Sequence, residues 1–226
     1  MLFLFHMTAL TKSLNFLKDL SKNNSRDWFN ANKTRFEEAR DIVQEFCATL
    51  IKDIKKFDPG INDPERDLYM FRIYKDVRFS KDKSPYKTSF GVTLTAGGNK
   101  FGHGGYYLHL APNGESMIAG GVHMPTPDDL DKLRAHIANH HQDFEKIVQA
   151  KPFRDTFGNL MDMEDKLKKV PRGFAADHPA AEWLKYKSYV AGRKFEDREV
   201  IGDGFARDCI ATFKTLKPLN DFLKNA

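Results

Sequence analysis

Apolar residues recur every three or four positions along the first quarter of the chain, and then the period changes. Leu10, Leu14, Leu17 and Leu20 form one stripe, and Phe36, Val43, Phe46, Leu50, Ile54 and Phe57 form a longer one. This spacing predicts helices across residues 8–57. Asn23-Asn24-Ser25 interrupts them, with Ser25 as the cap of a short turn bearing Trp28 and Phe29, and Asp58-Pro59-Gly60 ends the run. Between 67 and 123 the period falls to two. Tyr69 to Arg78 is aromatic and β-branched, Phe90-Val92-Leu94 alternate with Gly91 and Thr93, Tyr106 to Leu110 alternates again, and Met117 to His123 closes the set. The short links hold Ser84-Pro85, Gly97-Gly98-Asn99 and Pro112-Asn113-Gly114, which predicts an antiparallel meander.

The helical period returns at Thr126, which caps a helix with Pro127 at its first position and the stripe Leu130, Leu133, Ile137. Phe144, Ile147 and Val148 mark a second helix, and Pro152 opens a third with Phe153 and Phe157. Residues 162–179 hold Pro171, Gly173 and Pro179 and read as loop. Ala180 to Tyr186 reads as helix and Ser188 to Ala191 as one further short strand. A last helix from Asp203 bears Phe205, Cys209, Phe213 and Leu216, with Pro218 kinking or restarting it. The fold class expected is α+β: an antiparallel meander sheet of four to five strands covered by N- and C-terminal helices. A single domain over 8–226 is expected, with helices at 10–57, sheet at 67–123 and mainly helices at 127–224.

Composition adds limits. The 226 residues are 41% hydrophobic and include 19 Phe and 7 Tyr, more large apolar groups than a disordered chain holds. The formal charge of +5 favours solubility and mild attraction to anions, which falls short of an argument for nucleic acid. Cys47 and Cys209 sit in helical patterns without paired spacing, so a reducing compartment is expected, and the cytoplasm with it. The apolar run Met1–Phe5 has no basic flank and is too short to span a bilayer, so no membrane partner is expected.

Candidate chemistry concentrates in residues 72–88. Strand alternation places Arg72, Tyr74, Asp76 and Arg78 on one face, which is either solvent or a polar site. The loop after it adds Lys81, Lys83, Tyr86 and Lys87. Two guanidinium forks, several ammonium groups and a phenol suit a phosphate or carboxylate. In that reading Arg72 and Arg78 clamp the anion, Lys83 and Lys87 add charge, Tyr86 donates a hydrogen bond and Asp76 orients an arginine. Asp76 and Tyr74 are then the acid–base candidates if a reaction follows. The plain alternative is a solvated strand face with a local Asp76–Arg78 pair.

The run Arg72-x-Tyr74-x-Asp76-x-Arg78-Phe79-Ser80-Lys81-Asp82-Lys83-Ser84-Pro85-Tyr86-Lys87 resembles the signature of an uncharacterised family, domain of unknown function 2461. So do Asn23-Asn24 with Trp28-Phe29, Gly105-Tyr106-Tyr107-Leu108-His109, Gly120-Gly121 with Met124-Pro125, and Pro171-Arg172-Gly173-Phe174 with His178-Pro179. The resemblance runs from about Leu10 to the C-terminus and implies a soluble, single-domain protein; it brings no activity. Lys75 stands where that pattern often has Arg, which keeps charge and loses the planar fork. Arg172 and His178, in an irregular loop, join the site as second-rank candidates.

Other chemistries are weaker. His136 and His140 share a helical spacing with His141 beside them, but no metalloprotease Glu accompanies them, so surface histidines are expected and no metal. His109 and His123 fall in neighbouring strands, where they either face each other or the sheet site, or take a backbone or Tyr partner. Asp76, Asp82 and Lys83 lack the third acid of a nuclease site. Gly102-His-Gly104-Gly105 lies between strands and reads as a hairpin, not a dinucleotide loop, and no cofactor is implied. Three functional readings stand: a small-anion site, a surface for single-stranded nucleic acid or an acidic partner built on Tyr74, Phe79 and Tyr86, and a buried Arg72–Asp76–Arg78 network that fixes the sheet.

Overall fold

The computed structural model describes residues 2–78, 81–98, 104–162 and 166–226, with side chains from Leu10 onward. The N-terminal stripes form α1 (Leu2–Lys22), α2 (Arg26–Ala31) and α3 (Lys33–Ile54). Ser25 caps α2 by accepting from Trp28 N. The short α4 (Pro64–Asp67) leads into β1 (Leu68–Met70), followed by β2 (Phe90–Leu94), a 3-10 turn at Ala96–Gly98, β3 (Gly105–Leu110) and β4 (Ser116–Val122). Then come α5 (Pro127–Asn139), α6 (His141–Gln149), α7 (Lys151–Phe157), α8 (Ala181–Leu184), β5 (Tyr189–Phe195), α9 (Asp197–Val200) and α10 (Phe205–Lys224).

The five strands lie in sequence order, β1-β2-β3-β4-β5, and every pairing is antiparallel. The protein is α+β, as the periods predict. One face of the sheet presents Val92, Leu94, Tyr106, Leu108, Ile118 and Ala191, all buried under α3 and α10. Tyr106 packs against Phe213 of α10 with ring centroids 4.7 Å apart, and Phe46 of α3 stacks on Phe205 of α10 at 5.5 Å. Each such side chain contributes about 1.5–3 kcal/mol by leaving water. Helices thus cover one face, and the register sets what the other face shows.

Two elements differ from the sequence pattern. The strand expected over Tyr69–Arg78 pairs in the ladder only as far as Met70. Beyond it the chain stays extended, held by Phe71 N to Gly91 O and an isolated bridge between Tyr74 and Tyr86. Beyond that bridge side chains capture backbone donors: Asp76 accepts from Arg78 N, and Asp82 accepts from Ser84 N. Pro85 has no N–H to offer a ladder. At the C-terminus α10 runs through Pro218 as one helix, without restarting. β5 is longer than the expected Ser188–Ala191, reaching Phe195.

Buried polar groups secure the sheet's start. The Asp67 carboxylate, wholly buried, accepts from Asn62 N, Asp63 N and Gly97 N and from both Nε and Nη2 of Arg66. Burial raises its pKa, but the Arg66 bonds and the three backbone donors outweigh burial and hold it well below the usual carboxylate range. No helix among the described residues is long and apolar enough to cross a membrane.

Candidate functional site

The alternation expected in residues 72–78 holds even without a ladder: Arg72, Tyr74, Asp76 and Arg78 are exposed, while Ile73 is buried between them. Arg78 turns back on Asp76, with Nη2 to Oδ2 at 2.7 Å and Nε to Oδ1 at 3.0 Å. The two side chains are 77% and 51% exposed. This corrects the reading of a buried Arg72–Asp76–Arg78 network: the pair stands in water, where it adds little to stability. The bond from Arg78 holds the Asp76 carboxyl down at about 2. Lys75 does the same for Asp82, also to about 2.

The loop lysines bind the chain itself. Lys83 Nζ donates to Val77 O at 2.9 Å, and Lys87 Nζ donates to Arg72 O at 3.1 Å while lying 5.8 Å above the Phe71 ring. Tyr86 is only 4% exposed. Its ring stacks on Phe29 at 4.0 Å, and Tyr74 leans on it at 5.4 Å. The sequence assigned Tyr86 as a hydrogen-bond donor to a ligand; its burial against α2 gives it a packing role instead. His178 accepts from Ala180 N at 3.0 Å and meets the His141 ring edge-on, and Arg172 is exposed. Phe79 and Ser80 of the motif, and residues 99–103 with most of the expected glycine hairpin, lie outside the described residues.

The face of the sheet away from α3 and α10 holds a cleft of about 580 Å³. Cross-strand register explains its floor. Gly91 pairs with His109, His109 with Met117, and Met117 with Lys194, so these four form one row across β2 to β5. The next row is Thr93, Tyr107, Ala119 and Gly192. Phe71 and Lys87 wall one end, while Met161, His123 and Met124 border the cleft elsewhere. Lys87 is therefore the one residue of the predicted anion set that lines this cleft. Arg72, Arg78, Lys83, Arg172 and His178 are not among its lining residues.

At the centre of the floor the Tyr107 hydroxyl lies 3.1 Å from His109 Nδ1. Two residues apart on one strand, the two side chains share a face. Gly91 makes the arrangement sterically feasible: a Cβ there would stand 2.6 Å from the Tyr107 hydroxyl. Burial pushes the Tyr107 phenol up to about 12 and lowers the His109 pKa, with Glu115 pulling His109 up and Lys194 pushing it down. Burial thus favours the neutral form of both groups. Glu115 and Lys194 pair with each other at 2.7 Å at the β5 side. The sequence pointed to Tyr107 only as part of the Gly105–His109 motif, and to His109 both there and as a sheet histidine with a backbone or Tyr partner; it missed Glu115, Met161 and Lys194. Strand alternation offered one signal, since Tyr107 and His109 fall on the same parity, opposite to the core residues Tyr106 and Leu108.

His136 and His140 lie with rings 4.7 Å apart, where α5 ends. No cluster of three or more His, Cys, Asp or Glu able to hold a metal occurs among the described residues.

Fold and site define an α+β protein whose antiparallel sheet is covered on one face and carries a mainly apolar cleft with a few polar side chains on the other. The chain belongs to the family of conserved hypothetical proteins called domain of unknown function 2461, whose model matches residues 12–222. Comparisons with curated proteins and with solved structures found no match.

Proposed function

We propose that this protein binds a small molecule bearing a carboxylate or phosphate in the cleft on the open sheet face. The observation that supports this reading is the Tyr107–His109 pair on the cleft floor, with Lys87 at one end and Lys194 on the β5 side. The volume lies within the range of small-molecule sites, and an aromatic wall with a few convergent polar groups is their usual composition. Lys87 supplies charge for the anion, Lys194 stands beside it in its pair with Glu115, and Phe71 and Tyr107 offer ring surface to its apolar part. The guanidinium of Arg78 is taken up by Asp76, so in this reading the outer face of residues 72–78 is a rim and not the clamp.

A thermal-shift panel of phosphate, nucleoside monophosphates and small di- and tricarboxylates tests the reading on the wild type, Lys87→Ala and Arg78→Ala. A ligand present at a hundred times its dissociation constant adds about 2.7 kcal/mol of stability. The expected result is a shift with one class of anion that Lys87→Ala abolishes and Arg78→Ala keeps. A shift lost in Arg78→Ala and kept in Lys87→Ala transfers the anion to the outer segment of residues 71–88, the strap between β1 and β2, and overturns the cleft.

One observation favours a second reading, a surface for single-stranded nucleic acid. Tyr74 is 56% exposed, with Arg72 and Arg78 exposed on the same side of the strap. An exposed ring among cations suits base stacking. A short oligonucleotide that binds at low salt, releases at high salt and is lost in Tyr74→Ala is the result this reading requires.

A further inference from the structure

We infer that His109 is the proton acceptor of the cleft, acting through Nε2 on a hydroxyl or activated C–H next to the ligand's anionic group, and that Tyr107 is the positioning residue that selects this tautomer. The inference rests on the proposed binding reading and names the chemistry of the same site.

The geometry limits the choices. A neutral imidazole carries one proton, and His109 Nδ1 is 3.1 Å from the Tyr107 oxygen. If Nδ1 holds the proton, it donates to the phenol oxygen and leaves Nε2 with a lone pair. The Tyr107 O–H then remains a donor. The cleft gains one acceptor and one donor side by side. In the opposite tautomer the phenol donates to Nδ1, and His109 offers only an Nε2–H. Lys87 serves the anion, and Glu115 and Lys194 hold each other at 2.7 Å. Other acceptors line the cleft in His123, Glu115 and the hydroxyls of Ser89, Thr93 and Thr95; the first tautomer alone sets an imidazole lone pair beside the Tyr107 hydroxyl on the β3 part of the floor.

A phenol suits this place because its oxygen both donates and accepts. When Nε2 takes a proton, the Nδ1–H keeps its bond to the same oxygen, so the imidazolium forms without rearranging its partner. In the step the ligand's X–H bond breaks, the electron pair stays on X, and the proton passes to Nε2. No oxidant or second reactant enters. The groups acting on the imidazolium are Tyr107 on its own strand, Glu115, which favours it, and Lys194, which opposes it. Gly91 serves the pair indirectly, since a side chain there would displace the Tyr107 hydroxyl.

Nitrogen-15 NMR of histidine-labelled protein reads the tautomer directly, with His109→Gln to assign the signals. At pH 7 the wild type is expected to show His109 with a protonated Nδ1 and a bare Nε2, titrating below the free-imidazole value of about 6.5. Tyr107→Phe removes the acceptor for Nδ1–H and is expected to move the proton to Nε2. A wild-type Nε2–H at pH 7 overturns the inference, because the ring then has no lone pair to offer. An unchanged tautomer in Tyr107→Phe overturns the positioning role. The anion panel on Lys87→Ala reads binding alone, so a failure there and a failure of the tautomer are told apart.

Discussion

Asn24 holds the backbone of Tyr86 with both ends of its side-chain amide: Nδ2 donates to Tyr86 O at 2.9 Å, and Oδ1 accepts from Tyr86 N at 3.1 Å. The two residues are 62 positions apart. This clamp ties the α1–α2 turn to the strap, and the strap in turn carries Lys87 to the cleft wall. Asn24→Ala is expected to destabilise the fold by about 1–3 kcal/mol, because part-buried backbone groups lose their partners. Urea unfolding measures the loss. Hydrogen exchange should quicken at residues 85–87; unchanged protection there would remove the clamp from the account.

Gly91→Ala forces a Cβ to within 2.6 Å of the Tyr107 hydroxyl. Overpacking of this kind costs about 1–3 kcal/mol. Removing the hydroxyl relieves the closest contact, so Tyr107→Phe in the Gly91→Ala background should recover part of the stability. A double-mutant cycle with no coupling would show that the hydroxyl is not what Gly91 accommodates.

Asp67 links stability to acid. Its folded pKa lies below the unfolded value of about 3.9, so its contribution is complete above that value and fades as the pH falls through it toward the folded one. The wild type should lose stability more steeply below pH 4 than Asp67→Asn does. At pH 7 Asp67→Ala should cost about 3 kcal/mol or more, since it leaves three backbone N–H groups and Arg66 without their acceptor. Equal acid sensitivity in wild type and Asp67→Asn would count against this assignment.

Arg78→Ala should leave the melting temperature unchanged, because its ion pair with Asp76 is exposed on both sides. A substantial drop in melting temperature would restore a structural role to the pair.

Much of the architecture was legible along the chain. The switch from a three-to-four-residue period to a two-residue period and back is a local property, fixed by which side chains must leave water on a helix or a strand. It located the N-terminal helices, the meander and the C-terminal helices, and strand parity correctly turned Arg72, Tyr74, Asp76 and Arg78 to one side. Local pattern did not reveal that the ladder would end at Met70, nor that Asp76 and Asp82 would capture backbone donors beyond the Tyr74–Tyr86 bridge, since that depends on a competition between side chain and strand partner.

The sequence by itself determined the α+β order of elements, the family and the charged strap, because periodicity and motif are written in neighbouring residues. Tertiary structure decided which face of the sheet the helices cover and that Tyr86 belongs to the core. It also decided that Lys87, His109, Tyr107 and Lys194 share a cleft. Those four come from the strap, β3 and β5, and only the antiparallel register and the packing of α3 and α10 on the opposite face bring them together. Cross-strand neighbours are set by pairing between distant segments, which no local period encodes.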